Sequence, residues 1–340
     1  MRLIATEEAF APREYFEEYL KLAETLDTAE ARYLKMYYKG PLVERLSDMD
    51  VRLAEMDRFG VDMHLLGITA PGVQAFAPQL GGDMAERAND ELAKVIRAHP
   101  TRFAGLGAVA PQDPERAAGE VKRIMTELKL GGVIINSHTQ GDFLDAEKVS
   151  PLLEALVAHD APLYIHPNFP PPSMVGPYSD YGMMGALWGF GAECSLHVVR
   201  MIMAGVFDRF PKLKVVLGHL GEGLPFWLDR LDNRYANILR RGGLEPLGMR
   251  KLERLPSEYF RTNFHITTSG MNTTAPLEFA LKMFGPDRIM FAIDYPYEQT
   301  EEAVGFLRSA SLDAGALRKI AHETAETVFN IASVQDRVSV

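Results

Sequence analysis

From end to end the chain alternates between short apolar runs and longer amphipathic segments. The apolar runs are residues 3–9, 62–69, 103–110, 132–136, 162–167, 214–219, 264–269 and 289–294. Each is rich in Val, Ile, Leu or Phe without strict alternation, the pattern of parallel strands covered on both faces. The segments between them read as helices. Residues 83–99 place Met84, Ala88, Leu92, Val95 and Ile96 on one stripe at helical spacing. Ser150 before Pro151, and Asp113 before Pro114, each supply an N-cap followed by proline at the first helical position. Eight strand–helix alternations predict an α/β fold, a (β/α)8 TIM barrel in a single domain over residues 1–340. An open doubly wound sheet is the competing topology, but no glycine-rich nucleotide loop follows the first strand.

Two stretches break the rhythm. Residues 13–44 lengthen the first βα connection and are expected to contain a helix. Residues 168–191 form a loop after strand five, rich in Pro, Gly and aromatics such as Tyr178, Tyr181, Trp188 and Phe190. Both leave the C-terminal face, where barrel active sites lie, so they are expected to wall a pocket or to pack a lid. After Glu323 the pattern predicts a terminal helix and a frayed polar tail from Gln335.

Composition narrows the function. A formal net charge of −10 and no basic stripe argue against a nucleic-acid surface. No run is long enough to span a bilayer, and Glu7 and Glu8 interrupt the first apolar stretch. Cys194 is the only cysteine, which excludes an internal disulfide and a cysteine-based zinc cluster. A cytoplasmic enzyme is expected.

The chemistry is concentrated at the strand ends. Strand one ends in Glu7 and Glu8, four in Asn136, five in His166, six in His219, seven in Thr267–Ser269 and eight in Asp294. Barrel closure brings strands one and eight together and aims all these ends at one rim. Carboxylates crowded in that way repel, or take up protons, unless a cation lies between them. A divalent metal with carboxylate and imidazole donors resolves the conflict, and such a donor set suits Mn2+, Zn2+ or Mg2+.

The segments ATEEAFAP, PLYIHP, FDRFPKLKVVLGHLGEGLPFWLDRLDNR, NFHITTSG and IMFAIDYPYE together resemble the amidohydrolase-related decarboxylases, which include the aminocarboxymuconate-semialdehyde, γ-resorcylate, 2,3-dihydroxybenzoate and 5-carboxyvanillate decarboxylases. The resemblance runs from Ile4 to Phe329, is most specific over residues 207–234, and is closest to the decarboxylases of hydroxylated benzoates. It implies an amidohydrolase-like barrel with Glu7, His166 and Asp294 as metal ligands. His219 then matches a catalytic histidine beside the metal, and Glu222 matches its carboxylate partner. Arg230 matches an arginine that holds the substrate carboxylate; Arg52 is a looser match. Many relatives carry histidine where this chain has Ala9, although the dihydroxybenzoate branch shows alanine there too. The resemblance also implies a homodimer or homotetramer.

The expected reaction is metal-dependent, non-oxidative decarboxylation of a small ortho-hydroxylated aromatic carboxylic acid, with no organic cofactor. Asp294 is the expected proton donor to the ring, His219 and Glu222 manage charge on the phenolic or carboxylate oxygen, and Asn136 is a candidate contact to a ring hydroxyl. The alternative is a metal-dependent hydrolase of an ester, lactone or amide on the same barrel. His64, His197 with Glu193, and Cys194 are expected to be structural.

Overall fold

The structure is a computed structural model and describes residues 1–26 and 28–332. Its strands are β1 (Ile4–Phe10), β2 (Met63–Ile68), β3 (Phe103–Ala108), β4 (Gly132–Asn136), β5 (Leu163–His166), β6 (Val215–Leu217), β7 (Phe264–Thr267) and β8 (Ile289–Met290). They form one eight-stranded sheet in sequence order, every neighbour parallel to the next. The sheet curls until its last strand returns to its first. The Thr6 amide reaches the Phe291 carbonyl at 3.1 Å, and the Ala9 amide reaches the Tyr295 carbonyl at 2.8 Å. The eight apolar runs are thus the eight strands of a (β/α)8 barrel.

Strands β6 and β8 stop before the histidine and the aspartate that end their apolar runs. β6 ends at Leu217, before His219, and β8 holds only Ile289 and Met290, well before Asp294. Beyond Met290 the Ala292 and Ile293 amides donate to the side chains of Thr268 and Glu8 rather than to strand carbonyls. Asp294 has φ +73, and residues 219–223 all have positive φ. Left-handed backbone cannot continue a strand ladder, so these polar residues occupy tight turns just beyond the strands.

Alternation along each strand builds two buried layers. Ile4, Leu65, Leu106, Ile134, Tyr164, Val216 and Met290 belong to one cluster. Ala5, Leu66, Val133, Ile165, Leu217 and Ile289 belong to the other, which the surrounding helices cover. The helix Pro78–Ala98 buries Met84, Ala88 and Leu92 as expected, but starts at Pro78 rather than at residue 83. Asp113 does cap its helix, accepting the Arg116 amide at 3.3 Å. Ser150 does not cap. It is already helical, because a 3-10 turn at Glu147–Val149 feeds directly into the helix Ser150–Ala158.

The first insertion carries three helices, Arg13–Glu24, Ala29–Tyr37 and Pro41–Ser47. It touches the loop after β5: the Tyr33 ring lies 5.3 Å from Phe169, which lies 5.1 Å from Phe190. Tyr181 and Trp188 in that loop remain exposed. The terminal helix is Thr324–Val328, and the tail from Gln335 lies outside the described residues. Among the described residues, no helix is long and apolar enough to cross a membrane.

Candidate active site

The two adjacent glutamates of β1 face opposite ways, as neighbours on a strand do, and an irregularity between Ala5 and Glu8 decides which of them faces inward. Ala5 pairs with His64 and Glu8 with Leu66, so Thr6 and Glu7 together face the single residue Leu65. This bulge re-aims the side chains. Glu7 turns into the barrel, while Glu8 turns into the seam with β8, where its oxygens accept the Ile293 and Tyr295 amides at 2.9 Å each.

Glu7 is the centre of the site. Its Oε2 accepts hydrogen bonds from the hydroxyls of Tyr164, Thr267 (2.9 Å) and Ser269. Its Oε1 is buried and has no hydrogen-bond partner. That oxygen lies 3.7 Å from His166 Nε2 and 3.8 Å from His219 Nε2, too far for hydrogen bonds. Burial pushes the Glu7 carboxyl up, but His219, His166 and the Ser269 and Tyr164 hydroxyls outweigh it and hold the group below its ordinary value. Backbone makes room: a Cβ on Gly218 would stand 2.6 Å from either carboxylate oxygen.

His166 is held in the tautomer a metal ligand requires. Its Nδ1 lies 2.8 Å from the Pro167 carbonyl, which can only accept, so Nδ1 carries the hydrogen and Nε2 keeps its lone pair. Ligand atoms of Glu7, His166 and Asp294 all lie within 4.8 Å of one another. An orphaned carboxylate oxygen, a correctly oriented imidazole and a second carboxylate fit one divalent cation. For Asp294, burial and Glu7 push the carboxyl up against the pull of His219 and His166.

His219 and Glu222 sit in a left-handed turn. His219 Nδ1 donates to Glu222 Oε1 at 2.7 Å, and the His219 amide donates to Ser269 Oγ at 2.9 Å. His219 Nε2 faces Asp294 Oδ2 at 3.8 Å. Burial opposes its charging, but Glu222, Glu7 and Asp294 overcome that and hold the imidazole well above its ordinary value. Each left-handed non-glycine residue costs about 1–2 kcal/mol. Such a run persists only where its surroundings over-determine it. The folded chain spends that strain on one contact, which brings a histidine and its carboxylate partner to the rim together.

The remaining expected residues separate. Asn136 pairs in register with His166 and is fully buried; its Oδ1 has no partner. Arg52 is fully buried, its guanidinium on the Ala9 and Arg45 carbonyls and 4.4 Å over the Tyr295 ring. Every arginine in a DVRLAEMD-like helix looks alike in sequence, and only packing shows this one facing inward. Arg230 is exposed on the helix Leu224–Arg240. His64 is a buried core histidine beside Arg52, and Cys194 is buried. Sequence reasoning assigned no role to Tyr164, Thr267 or Ser269 on Glu7. The signal for Tyr164 was its place two residues before His166, on the same strand face.

A parallel barrel with carboxylates and imidazoles gathered at its C-terminal rim is the architecture of metal-assisted barrel enzymes. The family model described as Amidohydrolase matches residues 42–331, and the chain belongs to that family. It is 34% identical over 337 residues to a γ-resorcylate decarboxylase of Polaromonas sp. (strain JS666), covering 96% of this chain and 98% of the relative. A crystal structure of 5-carboxyvanillate decarboxylase from Sphingomonas paucimobilis superposes with a TM-score of 0.94 at 45% identity, covering 97% of this chain and 99% of that one. The 5-carboxyvanillate decarboxylase of Novosphingobium aromaticivorans, complexed with manganese and 4-hydroxy-3-methoxy-5-nitrobenzoic acid, gives a TM-score of 0.93 at 39% identity. That match covers 97% of this chain and 96% of that one.

Proposed function

We propose that this chain is a metal-dependent, non-oxidative decarboxylase of a small ortho-hydroxylated aromatic carboxylic acid. The observation that carries the reading is the Glu7 carboxylate, one oxygen saturated by three hydroxyls and the other left without a partner among His166, His219 and Asp294. The relatives are decarboxylases of hydroxylated benzoates, and the hydrolase alternative gains no support from them.

In this reading Glu7, His166 and Asp294 hold one divalent ion. Manganese is the first candidate because a relative binds it; Zn2+ and Mg2+ suit the same donors. When bound, the ion supplies Lewis acidity toward the phenolic and carboxylate oxygens of the reactant. Asp294 delivers a proton to the ring carbon that bears the carboxylate, while the ortho oxygen feeds an electron pair into the ring. The carbon–carbon bond then breaks, its electrons restore aromaticity and CO2 leaves. His219, oriented through Nδ1 by Glu222, presents Nε2 to the phenolic or carboxylate oxygen. Asn136 offers its free Oδ1 to a ring hydroxyl. Arg230 remains in this reading as a carboxylate contact from the solvent side, and Arg52, fully buried, gains no support as a second one. The reading extends to a homodimer or homotetramer in the cytoplasm, where a single buried cysteine is in keeping with reducing conditions.

The test is incubation of manganese-loaded protein with a panel of ortho-hydroxybenzoates in D2O. Release of CO2 with deuterium at the vacated ring carbon is expected. Cleavage of esters or lactones without CO2 release would overturn the proposal.

A further inference from the structure

We propose that Glu8, backed by Arg52, is a positioning residue that holds the Asp294 backbone in its working conformation; the inference rests on Asp294 being the proton donor. Asp294 sits at φ +73, a region that residues other than glycine seldom occupy. The two peptide amides on either side of it, those of Ile293 and Tyr295, do not pair with strand carbonyls. Each donates instead to one oxygen of the same buried carboxylate, Glu8 Oε1 and Oε2, at 2.9 Å. One rigid, planar side chain thus spans three residues and fixes the turn that points Asp294 at the rim.

Arg52 supports the same turn from behind. Arg52 in turn cannot swing away. Its guanidinium holds the carbonyls of Ala9 and Arg45, takes His64 Nδ1 at 3.4 Å and lies over the ring of Tyr295. Tyr295 follows Asp294 directly, so the arginine grips the turn through its aromatic face while Glu8 grips it through its amides. Neither residue has an atom among those that could hold the ion. Their part is to deny Asp294 alternative backbone conformations. The pair of adjacent glutamates in β1 therefore divides the labour: one donates to the site, and its neighbour aims the opposing carboxylate.

Glu8→Gln tests this. Glutamine keeps the shape but offers one acceptor oxygen for two amides, and turns an NH2 group against the other. Three readouts are compared with the parent: hydrogen–deuterium exchange of the Ile293 and Tyr295 amides, Mn2+ affinity by titration, and steady-state kinetics at saturating Mn2+. Faster exchange at these amides is expected, with metal affinity or kcat falling about 10–100-fold and KM changing less than about twofold. Parent-like exchange, or unchanged kcat and metal affinity, would overturn the proposal. Arg52→Lys carries the same readouts if Glu8→Gln does not fold. It keeps the charge but loses the fork onto two carbonyls, and a smaller change in the same direction is expected. Asp294→Asn, measured in parallel, separates the two proposals. Full turnover in that variant would end the proton-donor role, while amide exchange in Glu8→Gln still judges the clamp.

Discussion

Gly218 shows how narrowly a single residue can define this site. Its missing side chain is the space that the Glu7 carboxylate occupies, since a Cβ would stand 2.6 Å from both oxygens. Gly218→Ala must therefore push Glu7 aside. Metal binding is expected to weaken by about tenfold or more, read as metal content after dialysis, and retention of the parent's metal stoichiometry and affinity would refute this steric cause. Asp294→Asn keeps size and hydrogen-bonding reach but cannot deliver the proton. A fall of about 10²–10⁴-fold in kcat is expected, checked by CO2 release at saturating substrate. At this scale the sequence was a good guide to residue types and a poor guide to direction. Glu7, His166, His219, Glu222 and Asp294 announced themselves as polar groups at the ends of apolar runs. Which of two adjacent glutamates faced inward depended on a local irregularity in pairing, and the burial of Arg52 depended on a helix packing against the β1–β8 seam. Neither leaves a mark in periodicity.

At the scale of one element, the helix Gly189–Met203 ties together the loops after β4 and β5. Ser137 Oγ donates to Glu193 Oε1 at 2.7 Å and lies 2.9 Å from His197 Nδ1. His197 Nε2 accepts the Leu144 amide at 3.0 Å, so Nδ1 carries the hydrogen and donates to Ser137. That direction of donation leaves His197 unable to take the serine's proton. The sequence suggested a Glu193–His197 pair, and the structure inserts Ser137 between them. Burial pushes the Glu193 carboxyl from 4.5 to about 8. Between these values the folded chain holds a proton that the unfolded chain releases, so this group makes folding less favourable as pH rises through the window. Glu193→Gln mimics the protonated form. The melting temperature of the parent, relative to that variant, is expected to fall from pH 5 to pH 8 in scanning calorimetry; parallel curves would show that the carboxyl is already ionised. The elements themselves were legible where apolar runs or a proline-led cap were strong. They were misjudged where β6 and β8 stop short, because nothing in hydropathy encodes the sign of φ.

For the whole molecule, the consequence of the rim cluster is linkage between the ion and folding. An ion bound only by the folded chain adds about 2.7 kcal/mol at about a hundredfold excess over its dissociation constant. At about 2.1 cal/mol/K per residue, a chain of this length gains about 4 °C in Tm. Chelation should lower the Tm by that order and abolish turnover, and readdition of Mn2+ should restore both; a Tm indifferent to chelator would count against the cluster as a metal site. Barrel topology could be read before any coordinates because eight repeats of one pattern reinforce each other. The two departures from the pattern, residues 13–44 and 168–191, were visible as interruptions, but their mutual contact through Tyr33, Phe169 and Phe190 is a long-range event that no local pattern records.

The irregular pairing between Ala5 and Glu8 has a consequence for inheritance. Loss of one codon there would leave length, hydropathy and net charge almost untouched, and the descendant would still align with its kin along nearly all of its length. Yet if the lost codon is that of Glu7, the ladder becomes regular, Thr6 alone faces Leu65, and the rim is left without its central carboxylate. A gene copy of that kind would keep the family's likeness and lose its chemistry.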